Sequence, residues 1–310
     1  YVSPIINNVG FALAAEKLLG LEVPQRGQYL RVIGCEISRI ADHLTYLAAV
    51  GLELGAMTVM LYCMKAREWI YELIEDFCGA RVTTNATRIG GQPRDLSLRF
   101  AEMVPPRFKD TRKVLVEIDK LLTRNRIYYD RMRNVGTMPK DEAINRSWTG
   151  PCLRASGVPF DVRRDDPYLV YDKIDFEIPV GTIGDCMDRY LVRMEEMEQS
   201  MRIVEQALKQ LPKGPFRVED PTISLPAKHQ VYNSIEGMMN HFKLIMYGHG
   251  IRPPIGEVYQ AVEGGNGEVG FYVISDGGDM PFRVRCRPPC LPLTASMGYM
   301  MKDSFVADLE

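Results

Sequence analysis

The chain has 310 residues, 46% of them hydrophobic and 25% charged, with a formal net charge of −2. That length can bury a large core in one domain or two, and the near-neutral balance excludes a field steering the whole molecule toward nucleic acid or acidic lipid. No run of eighteen apolar residues offers a membrane-spanning helix. The cysteines (Cys35, Cys63, Cys78, Cys152, Cys186, Cys286, Cys290) are odd in number, irregularly spaced and form no C-x-x-C. This argues against a disulfide framework and points to a reducing compartment. His43, His229, His241 and His249 form no H-x-x-H or Cys/His cluster, so no self-contained zinc or iron–sulfur site is expected.

In chain order, the first half is mostly helical. Leu30, Ile33, Ile37, Ile40, Leu44 and Leu47 recur at three- and four-residue intervals, which predicts a core-facing helix over 28–50. A second is predicted over about 59–77, stopping near Gly79. Residues 83–95, with Gly-Gly and Pro, read as a loop, and a third long helix is predicted over about 107–132. From 150 to 184, repeated Pro and Gly predict irregular or short-stranded structure. A fourth helix follows, with Asp185 as N-cap, a stripe from Met187 to Leu208, and Pro212 and Gly214 ending it. Residues 258–278 alternate around glycine turns, predicting a β-hairpin, and 281–289 offer a third strand. The fold class is α+β, mainly α, divided into a helical part (1–150), an irregular segment (151–184), a second helical part (185–250) and a small β part (256–290).

Several groups can carry chemistry. Glu36, Arg39 and His43 share one helix face, as an exposed polar face, a structural ion-pair ladder, or a lining against a partner or redox centre. Glu53, in GLELGAMT, is a buried acid or a helix-end residue. In GARVTTNATRIGG, the paired glycines form a tight turn or bind an anion through backbone N–H groups. Arg154, Arg163, Arg189 and Arg193 interleave with Asp161, Asp172, Asp185, Asp188 and Glu195, the pattern of buried ion pairs fixing irregular backbone. Cys286 and Cys290, a C-x3-C pair without other ligands, read as structural.

These motifs stand in a recognisable order. YVSPIINNVG, EKLLG, QYLRVIGCEISRIADHL, GLELGAMT, GARVTTNATRIGG, the run from LRASG through DRYLVRMEEM, SDGG…PFRVRCRPP and the closing VAD together closely resemble the 49-kDa, or D-type, subunit of respiratory complex I. No methionine precedes Tyr1, so the chain reads as part of a longer polypeptide. The resemblance implies a [NiFe]-hydrogenase large-subunit-like bundle of long helices with a small antiparallel sheet. It implies a peripheral subunit of a proton-pumping NADH:quinone oxidoreductase, inactive alone, forming the quinone site with a B-type subunit that carries the terminal [4Fe–4S] cluster. C-, I- and H-type subunits would be further partners. Membrane contact would come through partners, at the cytoplasmic face of a bacterial inner membrane, and no nucleic acid is implied.

By the same resemblance, Tyr1 hydrogen-bonds the quinone head group and Asp308 lies close to the quinone chamber. Glu53 replaces an aspartate that holds a quinone-binding histidine of an upstream HP-x-x-HG motif. Arg81, Thr83 and Arg88 belong to the loop that packs near the partner's cluster. Thr83 stands where many relatives have histidine, which points to menaquinone as the acceptor. Cys290 replaces a serine. Three rival readings remain: a hydrogenase large subunit, which needs two C-x-x-C pairs; a noncatalytic scaffold; and the D-type subunit of a quinone reductase driven by reduced deazaflavin or ferredoxin.

Overall fold

The computed structural model describes residues 2–302 and 304–308. It opens with α1 (Pro4–Leu19), α2 (Gln25–Glu53) and α3 (Met57–Cys78). The stripe predicted for α2 is its core face: Leu30, Ile33, Ile37, Ile40, Leu44 and Leu47 are all 1% exposed or less. Each contributes roughly 1.5–3 kcal/mol by burial, so packing rather than helix propensity sets this element. α3 ends at Gly79, which takes the left-handed conformation (φ +84°) and donates its N–H to Glu75 O at 2.7 Å.

α1 was not individually anticipated. Pro4 occupies its first turn and Gly20 caps its end with φ +66°. It packs against α2 on one side and the β-hairpin on the other, so Ile5, Ile6, Val9, Ala12 and Ala14 are buried around much of its circumference.

The helix expected over 107–132 needs correction. α4 runs Leu98–Ile118, a π-helical turn follows at Asp119–Thr123, and α5 covers Arg126–Met132. Ser97 caps α4, accepting from Phe100 N at 3.0 Å. Pro105 and Pro106 lie inside the helix on its exposed face. Each costs a helix interior about 3 kcal/mol, and the full burial of Phe100, Val104 and Phe108 outweighs that penalty.

The middle of the chain is broken, but among the described residues it forms short helices and no strand where 150–184 was read as irregular or short-stranded: α6 (Lys140–Asn145), α7 (Gly150–Ala155) and α8 (Val162–Asp165), then irregular backbone. α9 (Cys186–Gln210) starts where predicted, the Asp185 carboxylate accepting from Asp188 N at 2.8 Å. After α10 (Lys228–Asn233) and α11 (Ile235–Ile245) comes an antiparallel sheet of β1 (Gly256–Gly264), β2 (Gly267–Ser275) and β3 (Arg283–Arg287), in the order β1-β2-β3. Val258 faces Val273, and Gly264 faces Gly267 at the hairpin tip. α12 (Cys290–Ala295) and α13 (Met297–Met300) follow. No helix among the described residues is long and apolar enough to cross a membrane. The architecture is the mainly helical α+β class read from the sequence.

Candidate functional site

Two constructions meet along α2, an ionic seam at its middle and a cleft at its C-terminal end. In the seam, Glu36 accepts from Arg39 Nε and Arg163 Nη1 (both 3.2 Å), and from the hydroxyls of Tyr171 and Ser200 (both 2.7 Å). Burial alone would push this carboxyl up, yet the two guanidiniums and two hydroxyls hold it below the usual carboxylate range. Arg163 also pairs with Asp161 at 2.7 Å. Arg154 reaches Glu196 at 2.7 Å and Glu263 at 2.9 Å. Glu196 in turn lies 2.8 Å from His43 Nε2. Burial draws the imidazole below its usual range against the pull of Glu196. The pair is therefore a neutral imidazole donating from Nε2 to a carboxylate.

The exposed-face reading of Glu36, Arg39 and His43 is thus wrong and the ion-pair ladder is right: all three are 1% exposed or less. The expected interleaving of arginines and acids is corrected in detail. Glu196, not Glu195, faces the seam; Glu195 accepts from Gln199 Nε2. Asp172 is exposed. Asp185 and Asp188 bond to backbone N–H groups, with Asp188 holding Thr182 and Gly184. Arg39 donates to the carbonyls of Glu263 and Gly264 at 2.7 Å each, fastening α2 to the hairpin tip. A Cβ on Gly265 would lie 2.0 Å from Asp42 Oδ2, so only glycine lets the tip approach that closely.

The cleft, about 220 Å³, opens beside the end of α2. Tyr46, Val50, Glu53 and Leu54 form one wall. Met132 ends α5 and Val135 and Gly136 follow it, Cys186 and Arg189 come from the start of α9, and Met297, Met300 and Met301 close the far side with Asp308. Glu53 is the last residue of α2 and is exposed, so the helix-end reading holds in this chain. Among the described residues no ion pair involves Glu53 or Asp308. Both cleft arginines are fixed by carbonyls: Arg189 donates to Gly184 O at 2.9 Å, and Arg131 to Ala307 O at 2.9 Å. The latter bond anchors the turn that presents Asp308, whose carboxylate accepts from Phe305 N at 3.0 Å. A mostly apolar wall rich in thioethers suits a flat ring, because sulfur packs favourably on aromatics. The volume falls below the roughly 300–1,000 Å³ of pockets for drug-sized ligands, which limits the space to a single ring system.

Tyr1 lies outside the described residues. Ser3, two positions on, donates to Asp42 Oδ2 at 3.2 Å, and Asp42 precedes the cleft-lining Tyr46 by one turn of α2. Arg81, Thr83 and Arg88 do not line the cleft. They sit in the α3–α4 loop, where Thr83 and Arg88 are exposed. Arg81 pairs with Glu68 and Glu75 and lies over the Tyr71 ring at 5.3 Å. Arg88 donates to the Asn85 side chain. The paired glycines combine both readings of that motif: the turn is tight, and Gly90 N donates at 2.7 Å to an anion, the carboxylate of Glu16. Glu16 is clamped by Arg31 at 2.6 Å, with both side chains buried. No sequence signal singled out Glu16, Arg131 or Glu263. Among the described residues, no group of three or more His, Cys, Asp or Glu is arranged to hold a metal ion.

The comparisons agree with one another. Residues 53–310 match the family model described as respiratory-chain NADH dehydrogenase, 49 Kd subunit. A D-type NADH-quinone oxidoreductase subunit from Anaeromyxobacter sp. (strain Fw109-5) is 51% identical over 309 residues, covering 100% of this chain and 71% of the relative. The D-type subunit of the same enzyme from Myxococcus xanthus is 47% identical, with 100% and 74% covered. A Bdellovibrio bacteriovorus chain, named for both the C- and D-type subunits of that enzyme, is 46% identical over 99% of this chain and 55% of its own length. With more than half of its residues matched by the family model, and relatives near half identity along its whole length, the chain belongs to the family of the 49-kDa subunit of respiratory-chain NADH dehydrogenase.

Proposed function

We propose that the cleft at the end of α2 is this subunit's share of the quinone-reduction site of a proton-pumping NADH:quinone oxidoreductase. The observation that carries the reading is convergence: Glu53 and Asp308, 255 positions apart in the sequence, line one mostly apolar cleft sized for a single ring. The Tyr1 phenol donates to one carbonyl oxygen of the quinone, a bond that strengthens as negative charge develops there. Glu53 holds the imidazole of a histidine from a preceding segment. Asp308 stays fixed at the rim through Arg131.

The exposed loop of Arg81, Thr83 and Arg88 faces a B-type subunit carrying a [4Fe–4S] cluster, the source of the electrons. Arg81 is compensated by Glu68 and Glu75, so the net charge of this loop at the cluster rests chiefly on Arg88. Thr83 cannot take up a proton as histidine would, which favours a low-potential acceptor, menaquinone. The Bdellovibrio relative, whose name joins the C- and D-type subunits, supports a C-type neighbour, with I- and H-type subunits beyond it. The complex places this subunit at the cytoplasmic face of the bacterial inner membrane.

The test uses the full-length chain in the assembled complex. Glu53→Gln and Asp308→Asn should each lower quinone reduction about 10-fold, roughly 1.4 kcal/mol of barrier. NADH oxidation by an artificial acceptor should be unchanged. Unaltered quinone reduction in both variants would show that the cleft is not the site.

A further inference from the structure

The buried seam carries a charge imbalance. Its ion pairs connect three guanidiniums, Arg39, Arg154 and Arg163, with four carboxyls, Glu36, Asp161, Glu196 and Glu263, and with His43 at one end. Every one of these side chains is 3% exposed or less. With His43 neutral, three positive charges face four potential negative ones. The next charged groups facing His43, Arg193 and Asp42, are one of each sign and leave the count unchanged. An uncompensated charge deep in a protein costs several kcal/mol, and a buried carboxyl avoids that cost by keeping its proton.

The carboxyls are not equally served. Glu36 has two guanidiniums and two hydroxyls. Asp161 takes the Nε and Nη2 of Arg163 at 2.9 and 2.7 Å. Glu196 has Arg154 and His43. Glu263 has one guanidinium contact, Arg154 Nη1 at 2.9 Å, and a longer backbone donor, Val162 N at 3.2 Å. It shares that same Nη1 with Asp161, at 3.4 Å.

We propose that Glu263 is a protonated carboxylic acid at neutral pH, the proton-holding site of this buried cluster. Burial acts in the same direction, as does the Asp161 carboxylate, while Arg154, Arg163 and Arg39 oppose it. Tyr168, also packed here, offers its hydroxyl oxygen to the Glu263 backbone N–H at 3.1 Å and does not touch the carboxyl. From Glu263 the contacts run through Arg154 and Glu196 to His43, one turn of α2 before Tyr46 of the cleft wall. The stored proton thus sits at one end of a chain of polar contacts whose other end, His43, stands about one helical turn from the cleft-lining Tyr46.

Infrared spectroscopy of the assembled complex at neutral pH, parent minus Glu263→Gln, tests the assignment without any quinone turnover, so it stands or falls separately from the quinone reading. The expected difference is loss of one protonated-carboxyl C=O band, with no loss of carboxylate bands. The thermal inactivation midpoint of the variant should match the parent, since a neutral amide replaces a neutral acid of nearly equal shape. Loss of carboxylate intensity instead, or a clearly lowered midpoint, would show that Glu263 is ionised and overturn the proposal. Glu196→Gln is the second variant: it balances three guanidiniums against three carboxyls, so Glu263 should release its proton and the same protonated-carboxyl band should vanish there; persistence of that band would show that the charge count does not hold the proton and would equally overturn the proposal.

Discussion

The middle and the end of α2 use the same residue types for opposite purposes. At the middle, Glu36, Arg39 and His43 are sealed from water and every charge has a defined partner. At the end, Glu53 is exposed and, among the described residues, joins no ion pair. A charge locked on four donors cannot readily change its state or move. A charge at the rim of an apolar cleft can do both, and so is available to a ligand or to a neighbouring subunit. Paired charge in this fold builds the frame, and unpaired charge marks the opening.

The contrast breaks first at Arg154. Arg154→Leu would leave Glu196 with His43 alone and take the one guanidinium from Glu263, and removing one partner of a buried pair costs about 3–5 kcal/mol. The expected outcome is loss of assembled complex, read as the amount of this subunit recovered with its partners. Normal yield would mean the seam is less strictly built than its geometry states.

At the cleft the prediction reverses, with assembly kept and activity lost. Tyr1→Phe removes one donor acting on developing charge, a loss of roughly 100-fold or more in rate. Quinone reduction should fall while NADH oxidation by an artificial acceptor persists; full turnover with short-chain quinones would make Tyr1 a packing residue.

Acid should separate the two regions as well. Glu36, Asp161 and Glu196 are held below the usual carboxylate range chiefly by arginines, against the opposing effect of burial. Groups with depressed folded-state values stabilise the fold above their unfolded value, about 4, and lose that contribution as pH falls toward the folded value. Unfolding of the complex's peripheral part should therefore set in below about pH 4, with proton uptake. Glu36→Gln should weaken the pH dependence along with the stability. An acid limb unchanged in that variant would remove Glu36 from the account.

The smallest effect concerns Thr83. A redox titration of the partner's terminal cluster at several pH values should give a nearly pH-independent potential. A clear fall with rising pH, persisting in Thr83→Val, would assign the proton coupling to another group.

Much of the frame was legible in the residues, because its signals are local. The α2 stripe, the Gly79 stop, the Asp185 cap and the β-hairpin each follow from spacing within a few residues. α1 escaped because it is buried on two sides, leaving no one-sided stripe to detect. α4 starts well before the predicted 107 because Pro105 and Pro106 stand on its exposed face, where the helix can run through them. Glu195 and Glu196 are neighbours, and only the rotation of α9 against α2 selects between them. The cleft draws on four separated segments, 46–54, 131–136, 186–189 and 297–308. Periodicity says nothing of such convergence; Glu53 and Asp308 were singled out by resemblance, while Arg131 and Arg189 gave no hint that they would meet there.

α2 also sets the mechanics of the opening. At 29 residues it is a strut about 44 Å long, bolted at its centre to α9, α8 and the hairpin tip. Its last turn therefore moves with the body of the subunit. Opposite stand α12 and α13, two short helices with no buried residue in either, held by a few side-chain contacts: Trp148 Nε1 donates to Ser296 Oγ at their junction at 2.9 Å, and Arg189 meets the Met300 sulfur. The opening has one stiff jaw and one compliant jaw, so an occupant larger than the present space is accommodated by displacement of the Met297–Met301 side while the tyrosine-bearing wall stays in register.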